Sequence, residues 1–549
     1  MPNITVDTDT RAFPAGTDAG TIFERFYPGR RPRPIAASLN GRTRPLNWAP
    51  DGDCRLSVIT YADEEGRQVY ERSLRFLFLL AMHQALPGVR VRFEWSVGYG
   101  IYIDVKAPLS EEDVVRVEAR MRALRDAALP FVRERWTREG AMEYFAKMGQ
   151  TDTVRLLRYR PHAHFDVYSC GELYEYFYGD MLPSTDHIET FSLVRHGGGV
   201  LLMRPLPDAP DRVAPVAQRP VLMRAFDVAG RWNDILGCAN AADLNEMIAN
   251  GNLREFVRVN EALQEKLIAE IADRVAERGA KAVFIAGPSS SGKTTFTNRL
   301  AIQLRVNGLR PVMLSMDNYY RNKKDAPLDE YGQPDLESLA ALDTELLIDQ
   351  LLRLFRGETV EIPRFSFKEG ARKSSGTPLH VEPDQPILVE GIHGLNPHLV
   401  GRVPRELSYR IYVSALTTLN LDDHNRIRTT DVRLLRRIVR DHLFRHAPAI
   451  ETLSMWPSVR RGEERDIFPY QEESDIMFNS ALAYELAVLK KYAYPLLADI
   501  GEDSPYFTTA RRLVKFLNYF EEADVEEELG PTAILREFIG GCSFYLKPQ

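Results

Sequence analysis

Cysteine is scarce: Cys54, Cys170, Cys238 and Cys542 are the four in 549 residues, far apart and without a CxxC pair. That spacing excludes a disulfide framework or a zinc ribbon and reads as reduced thiols. Also missing is any run of about 18 apolar residues, the length a membrane-crossing helix requires. The longest apolar stretch, over residues 74–82, is interrupted by Arg75. The opening residues, MPNITVDTDTRAF, have no basic segment leading into an apolar one, so neither a signal peptide nor membrane association is expected, and a cytoplasmic location is. Positive charge is not in excess: 70 Lys and Arg stand against 77 Asp and Glu, a net −7. Bulk electrostatic binding of nucleic acid is thereby disfavoured, although local basic patches remain open. There is no internal repeat, and the one biased tract, the acidic run of residues 521–528, reads as a solvated helix face.

What is present fits a multidomain globular chain. Hydrophobic residues make up 44% and charged residues 27%, ordinary values for such proteins, and the length calls for about three or four domains. Residues 1–62 alternate short β-like runs with turn signals, among them Asn40-Gly41. A helix is expected over 69–85, stopped by Pro87-Gly88, then strands over 89–95 and 99–105 and a long charged helix over 111–135. The proline-rich stretch 205–220 marks the linker, with 206–260 a linker and helical connection. Beyond it, Leu263, Leu267, Ile271 and Val275 trace one apolar helix stripe. The P-loop unit described next is placed at 261–500, with 501–549 a C-terminal extension.

The strongest motif is GPSSSGKTT, beginning at Gly287. It follows the strand-length apolar run 282–286 and precedes a helical pattern ending near Leu304, the context a phosphate-binding loop requires. Gly287, Ser289, Ser290, Ser291, Gly292, Lys293, Thr294 and Thr295 would bind ATP. The glycines let backbone N–H groups turn towards phosphate, and the following helix N-terminus adds partial positive charge. Lys293 would reach the β- and γ-phosphates, and the Thr294 hydroxyl would ligate Mg²⁺. Two carboxylates follow further apolar runs: Asp317 after 312–316, and Glu390 after 387–389. At the ends of parallel strands they would point into the ligand crevice. There Asp317 could take the proton of an attacking hydroxyl, and Glu390 could serve Mg²⁺. Seven arginines fall between Arg426 and Arg445, and Arg433, Arg436, Arg437 and Arg440 share one helix side. Three readings stay open for them: cations over the triphosphate, a solvated face, or a nucleic-acid surface.

Together these residues resemble the uridine kinase branch of the phosphoribulokinase/uridine kinase family over about 280–500. The likeness includes the P-loop, LSMDNYY from Leu314, QPD from Gln333, EIPRFSF from Glu361 to Phe367, Arg372-Lys373, Glu390-Gly391 and the arginine-rich segment from Arg433. It implies an α/β P-loop kinase domain with a parallel sheet, ATP and Mg²⁺ as cofactors, and Asp317 as base. By the same likeness Asp335 would hold ribose hydroxyls, Tyr320, Phe365 and Arg372 would line the acceptor site, and Arg433 and Arg436 would close over the substrate. The family's base-reading histidine falls at Gly370, and its base-contacting tyrosine is Phe365 here. Uracil would therefore lack its usual partners.

Residues 1–62 resemble the TGS module, and 63–205 the second additional domain of threonyl-tRNA synthetase. The likeness rests on EEGRQVY from Glu64, Arg72-Ser73, Leu86-Pro87-Gly88 and GYGIYID ending at Asp104. This implies a small β-rich module followed by an α+β domain. The editing HxxxH positions read Arg72 and Phe76, and Cys170 alone cannot build the editing site. His162, His164 and His187 match no metal spacing and read as surface or turn histidines. The expectation is an ATP-dependent nucleoside kinase with an inactive, RNA-contacting or regulatory front half. The alternatives are a kinase for a non-nucleoside small alcohol, or an ATP-sensing RNA-binding regulator. Oligomerisation is left open.

Overall fold

The computed structural model describes residues 1–177, 179–366 and 368–545. At the N-terminus five short strands form one sheet in the order Asp9–Ala12, Asn3–Val6, Cys54–Ile59, Ala36–Leu39, Arg42–Pro45. Helix Ala19–Phe26 packs on it through Ile22, Phe23 and Phe26, started by the Asp18 carboxylate, which accepts from the Thr21 amide at 2.8 Å. Asn40 and Gly41 both take positive φ (52° and 75°), as a tight hairpin between the last two strands in that order demands.

Helix α1 (Glu64–Ala85) starts earlier than residue 69, because Glu64 and Glu65 suit a helix N-terminus. It belongs to a core that includes residues of the sheet Ser192–His196, Gly199–Met203, Gly100–Val105, Val91–Val97. The helix expected over 111–135 ends at Asp126; Val132–Thr137 is instead a strand, paired with His164–Cys170. Its alternating Arg133, Arg135 and Thr137 belong to a two-residue period, which charge density alone had masked.

Helix Leu253–Arg278 carries the expected stripe slightly rotated. Gln264, Ile268, Ile271, Ala272 and Val275 are buried, whereas Leu263 and Leu267 are half-buried. It leads into β1 (Ala282–Ala286), followed by α2 (Lys293–Val306), β2 (Val312–Ser315), β3 (Ile387–Glu390) and β4 (Ser408–Ser414). Then come α3 (Thr429–Arg445), α4 (Ala449–Asp466) and β5 (Ile476–Asn479). The five strands form one parallel sheet in the order β2-β3-β1-β4-β5. β1 and β4 are buried along their whole length, as expected of parallel strands covered on both faces.

The C-terminal stretch is not a separate appendage. Leu513, Leu517, Ile534 and Phe538 join the same core as β1, α2 and α3, and so do Phe145, Leu156 and Val167 from the front half. The acidic run 521–528 is largely irregular, with only a single 3₁₀ turn at Glu526–Glu528, and Glu528 pairs with Arg254 and Arg258. No helix among the described residues is long and apolar enough to cross a membrane.

Candidate active site

Because β3 lies between β2 and β1, the segments leaving the three strands emerge side by side at the carboxyl edge. β1 feeds the phosphate loop, β3 ends on Glu390, and β2 runs into Asp317. Glu390 stands in register with Ile285 on one side and Ser315 on the other. Parallel strands place ligands in this crevice, so one edge collects the loop, Glu390 and Asp317.

The loop needs its glycines. A Cβ on Gly287 would lie 2.0 Å from the Val413 carbonyl oxygen, and Gly292 opens α2 at φ 82°, which side chains rarely adopt. Ser290 also takes a positive φ (58°), so the backbone coils with the alternation that turns successive N–H groups inward.

Lys293 is buried at the base of this loop, its ammonium donating to the Pro288 carbonyl at 3.1 Å. Burial pulls its pKa down, while Glu390, Glu537 and Asp317 oppose that pull. Burial pushes Glu390 up to about 7; Lys293 opposes, and Asp317 and Glu537 add to the rise. Asp317 is reached by solvent, yet crowded protein around it still raises its pKa against Lys293 and Arg445. A fourth carboxyl, Glu337, is raised to about 7 by burial, with Arg437 opposing. Carboxylates that raise one another around a single buried lysine form a site short of positive charge.

That donor set fits a hard divalent cation. The Thr294 hydroxyl and the Glu390 and Asp317 carboxylates are all oxygen ligands, the kind Mg²⁺ selects. Among the described residues no three His, Cys, Asp or Glu side chains are grouped to hold a metal alone. Mg²⁺ bound with nucleotide takes only one or two protein carboxylates, the rest coming from phosphate and water.

The acceptor-side residues divide. The Tyr320 and Phe365 rings lie 5.6 Å apart, making one aromatic wall. Arg372 supports the loop that presents them, donating to the Tyr319 and Tyr320 carbonyls at 2.8 Å each and pairing with Asp343 at 3.1 Å. Asp335 pairs with Arg465 at 2.9 Å and accepts from the Glu337 amide. Gly370 has φ 63° and lies against Lys323. Phe367 lies outside the described residues.

Arg433, Arg436 and Arg437 of α3 are not a solvated face, for Arg433 is 1% and Arg436 0% exposed, whereas Arg445 at the helix end is exposed. Arg433 donates to the Ser289 carbonyl at 2.9 Å and pairs with Glu463; Arg437 donates to the Ser289 hydroxyl at 3.0 Å. Arg436 pairs with Glu485 at 2.6 Å and donates to the Ser480 carbonyl at 2.9 Å. They brace the phosphate loop from behind its carbonyls, because each guanidinium finds a buried carboxylate or carbonyl there.

Two loop amides are already occupied by carboxylates that sequence reading missed. The Ser289 amide donates to Glu463 at 3.2 Å. Glu537, from the short helix Arg536–Ile539, accepts from the Thr295 amide at 3.1 Å and its hydroxyl at 2.7 Å. Ile534 comes with it, in van der Waals reach of Gly292. Nothing in the residue types around Glu537 signals this, since it lies 242 positions from Thr295.

In the front half, Arg72 and Phe76 sit on α1, and among the described residues no three His, Cys, Asp or Glu side chains are grouped to hold a metal there. Cys170 is buried and its thiol is pushed up to about 12 by desolvation, so it stays protonated. His162 and His164 are exposed, and His187 lies against Asp186.

Comparison with known proteins agrees with this division. Residues 282–483 match the model of the Phosphoribulokinase / Uridine kinase family, a family of phosphotransferases. The front half is similar to a threonine–tRNA ligase of Symbiobacterium thermophilum, 29% identical over 195 residues, 35% of this chain and 30% of that protein. The threonine–tRNA ligase 1 of Bacillus subtilis gives the same identity and coverage. The chain thus spans about a third of the length of these curated relatives. Among solved structures, a possible uridine kinase from Bacillus stearothermophilus is 17% identical, covering 39% of this chain and 97% of that one at a TM-score of 0.27. At that score the fold is read from the chain's own sheet order. Residues 282–483 therefore carry the phosphoribulokinase/uridine kinase family match, behind a front half similar to part of the threonine–tRNA ligases.

Proposed function

We propose that this protein transfers the γ-phosphate of ATP to the hydroxyl of a small acceptor, a nucleoside in the leading reading. The observation that carries it is the single sheet edge on which Lys293, Glu390 and Asp317 meet. Lys293 would hold the phosphates, and Thr294 and Glu390 would hold Mg²⁺, which neutralises phosphate charge when bound. Asp317, open to solvent and with a raised pKa, would accept the acceptor's proton as its oxygen attacks. Tyr320 and Phe365, their rings tilted by 47° to one another, offer an aromatic wall to a ring, and Asp335 and Glu337 offer acceptors for hydroxyls. No polar side chain at Gly370 would reward a particular base edge, so base selectivity should be weak. ATP consumption with Mg²⁺ across a panel of nucleosides and small alcohols tests this. Turnover on nucleosides with little base preference is the expected result; turnover on a non-nucleoside alcohol alone would reassign the acceptor.

A pH dependence follows from the crowded carboxylates. Phosphate transfer should climb as pH rises through about 7, because Glu390 and Asp317 work ionised. The stability of the nucleotide-free chain should move the other way. A carboxyl raised from 4.5 to about 7 on folding binds its proton more tightly when folded. Its contribution is present below 4.5 and is lost as pH rises through about 7. Parallel pH profiles of turnover and of Tm check both signs.

A further inference from the structure

Away from the sheet edge, a cleft between α1 and the start of α3 is lined by Gln68, Asn425 and five arginines: Arg72, Arg75, Arg426, Arg428 and Arg512. Two carboxylates pair with this group. Glu71 is shared by Arg204, Arg426 at 3.3 Å and Arg75 at 3.8 Å. Burial alone would raise Glu71, yet Arg426 and Arg204 hold it well below the usual carboxylate range. Asp431 is taken by both terminal nitrogens of Arg512, one at 2.8 Å. Six guanidiniums, counting Arg204, therefore face two carboxylates; Arg72 also donates to the Asp180 carbonyl and Arg75 to the His424 carbonyl, neither of which supplies a negative charge.

The surplus is built in rather than solvated. Arg75 is buried, sandwiched by Phe93 and Phe177 at 4.9 and 5.0 Å, and its Nε has no hydrogen-bond partner. The buried Nε of Arg426 has none either. Burial lowers the pKa of both, and the neighbouring Arg428 adds to each fall by repulsion. Arg428 is the N-cap of α3, supplies no side-chain cap, and makes no side-chain hydrogen bond or ion pair among the described residues. Unpaired buried donors, convergent guanidiniums and an uncapped 17-residue helix together lack one thing, a compact multivalent anion.

We propose that this cleft binds a phosphate monoester group, held by Arg72, Arg75, Arg426 and Arg428 against the N-terminus of α3. A phosphate offers two charges and tetrahedral oxygens to several guanidiniums at once, which a carboxylate cannot. The site is distinct from the phosphate loop, though α3 connects them: its Arg433 and Arg437 contact Ser289. The group can come free, as a small phosphate, or on the end of an RNA.

The test is calorimetric titration of the full chain with inorganic phosphate, repeated on Lys293→Ala to silence the phosphate loop. One saturable site should persist in Lys293→Ala and weaken by about tenfold or more in Arg428→Gln, the loss of one charge-assisted contact. Gln68→Glu should abolish phosphate binding while Tm holds or rises, because the new carboxylate supplies the missing charge from within. A parallel arm compares a 5′-phosphorylated RNA oligonucleotide with its dephosphorylated twin. Tighter binding of the phosphorylated strand, dependent on Arg428, assigns the group to an RNA end even if free phosphate is silent. Phosphate binding that vanishes in Lys293→Ala and ignores Arg428→Gln overturns the proposal. So does silence of free phosphate together with equal RNA affinities.

Discussion

Asp317→Asn should cut phosphate transfer by about 10²–10⁴-fold, the usual contribution of a positioned general base. ATP binding should meanwhile hold or tighten. Asp317 contributes negative charge felt by Lys293 and Glu390, so its neutralisation leaves that lysine more available to phosphate. The substitution keeps shape and disturbs little, because the Asp317 amide, not its carboxylate, makes the local bond to Ser315 at 3.3 Å. Single-turnover transfer and nucleotide titration separate the two effects. Unchanged transfer would remove Asp317 from the chemistry, and loss of both transfer and binding would make it a ligand rather than a base.

Glu537→Gln should tighten ATP binding by about ten- to a hundredfold, the range expected when a charge-assisted bond is weakened to a neutral one and a like charge leaves. The Thr295 amide and hydroxyl are both engaged by this carboxylate, at the helix N-terminus where nucleotide phosphate belongs. In the described conformation the two anions compete for the same donors. Lys293 and Glu390 both sense Glu537, so its removal also relieves the crowding of negative charge around the phosphate position. A fluorescent nucleotide titration of wild type and variant measures the gain. Equal affinities would show that the C-terminal turn moves aside at no cost.

Much of the sheet edge proposed for phosphate transfer was legible before any fold was known, for local reasons. A loop that wraps phosphate must carry its glycines and lysine in one short run, so GPSSSGKTT is visible as a string. Apolar runs ending in Asp317 and Glu390 mark buried parallel strands with carboxylates at their ends, a periodicity signal that needs no partner. Helix boundaries were less secure: Glu64 extended α1, and charge density hid the strand Val132–Thr137 inside an expected helix. The arginines of α3 showed their helical side but not their use. Whether a guanidinium meets solvent, phosphate or Glu463 depends on an element 30 positions away.

The sequence by itself determined the chemistry that sits in contiguous segments: the phosphate-loop motif and the strand-end carboxylates, together with Arg72 and Phe76 at the positions where the resemblance to threonyl-tRNA synthetase would put editing histidines. Only the tertiary structure decided which charges confront one another. It brought Glu537 to Thr295, set Glu463 and Glu485 behind the loop arginines, and gathered Arg72, Arg75, Arg426, Arg428 and Arg512 into one cleft. The physical reason is that a motif repeats because one segment must satisfy a ligand alone, whereas charge pairing across hundreds of residues leaves no spacing to read. Its partners are chosen by packing, through the burial that makes an unpaired charge costly.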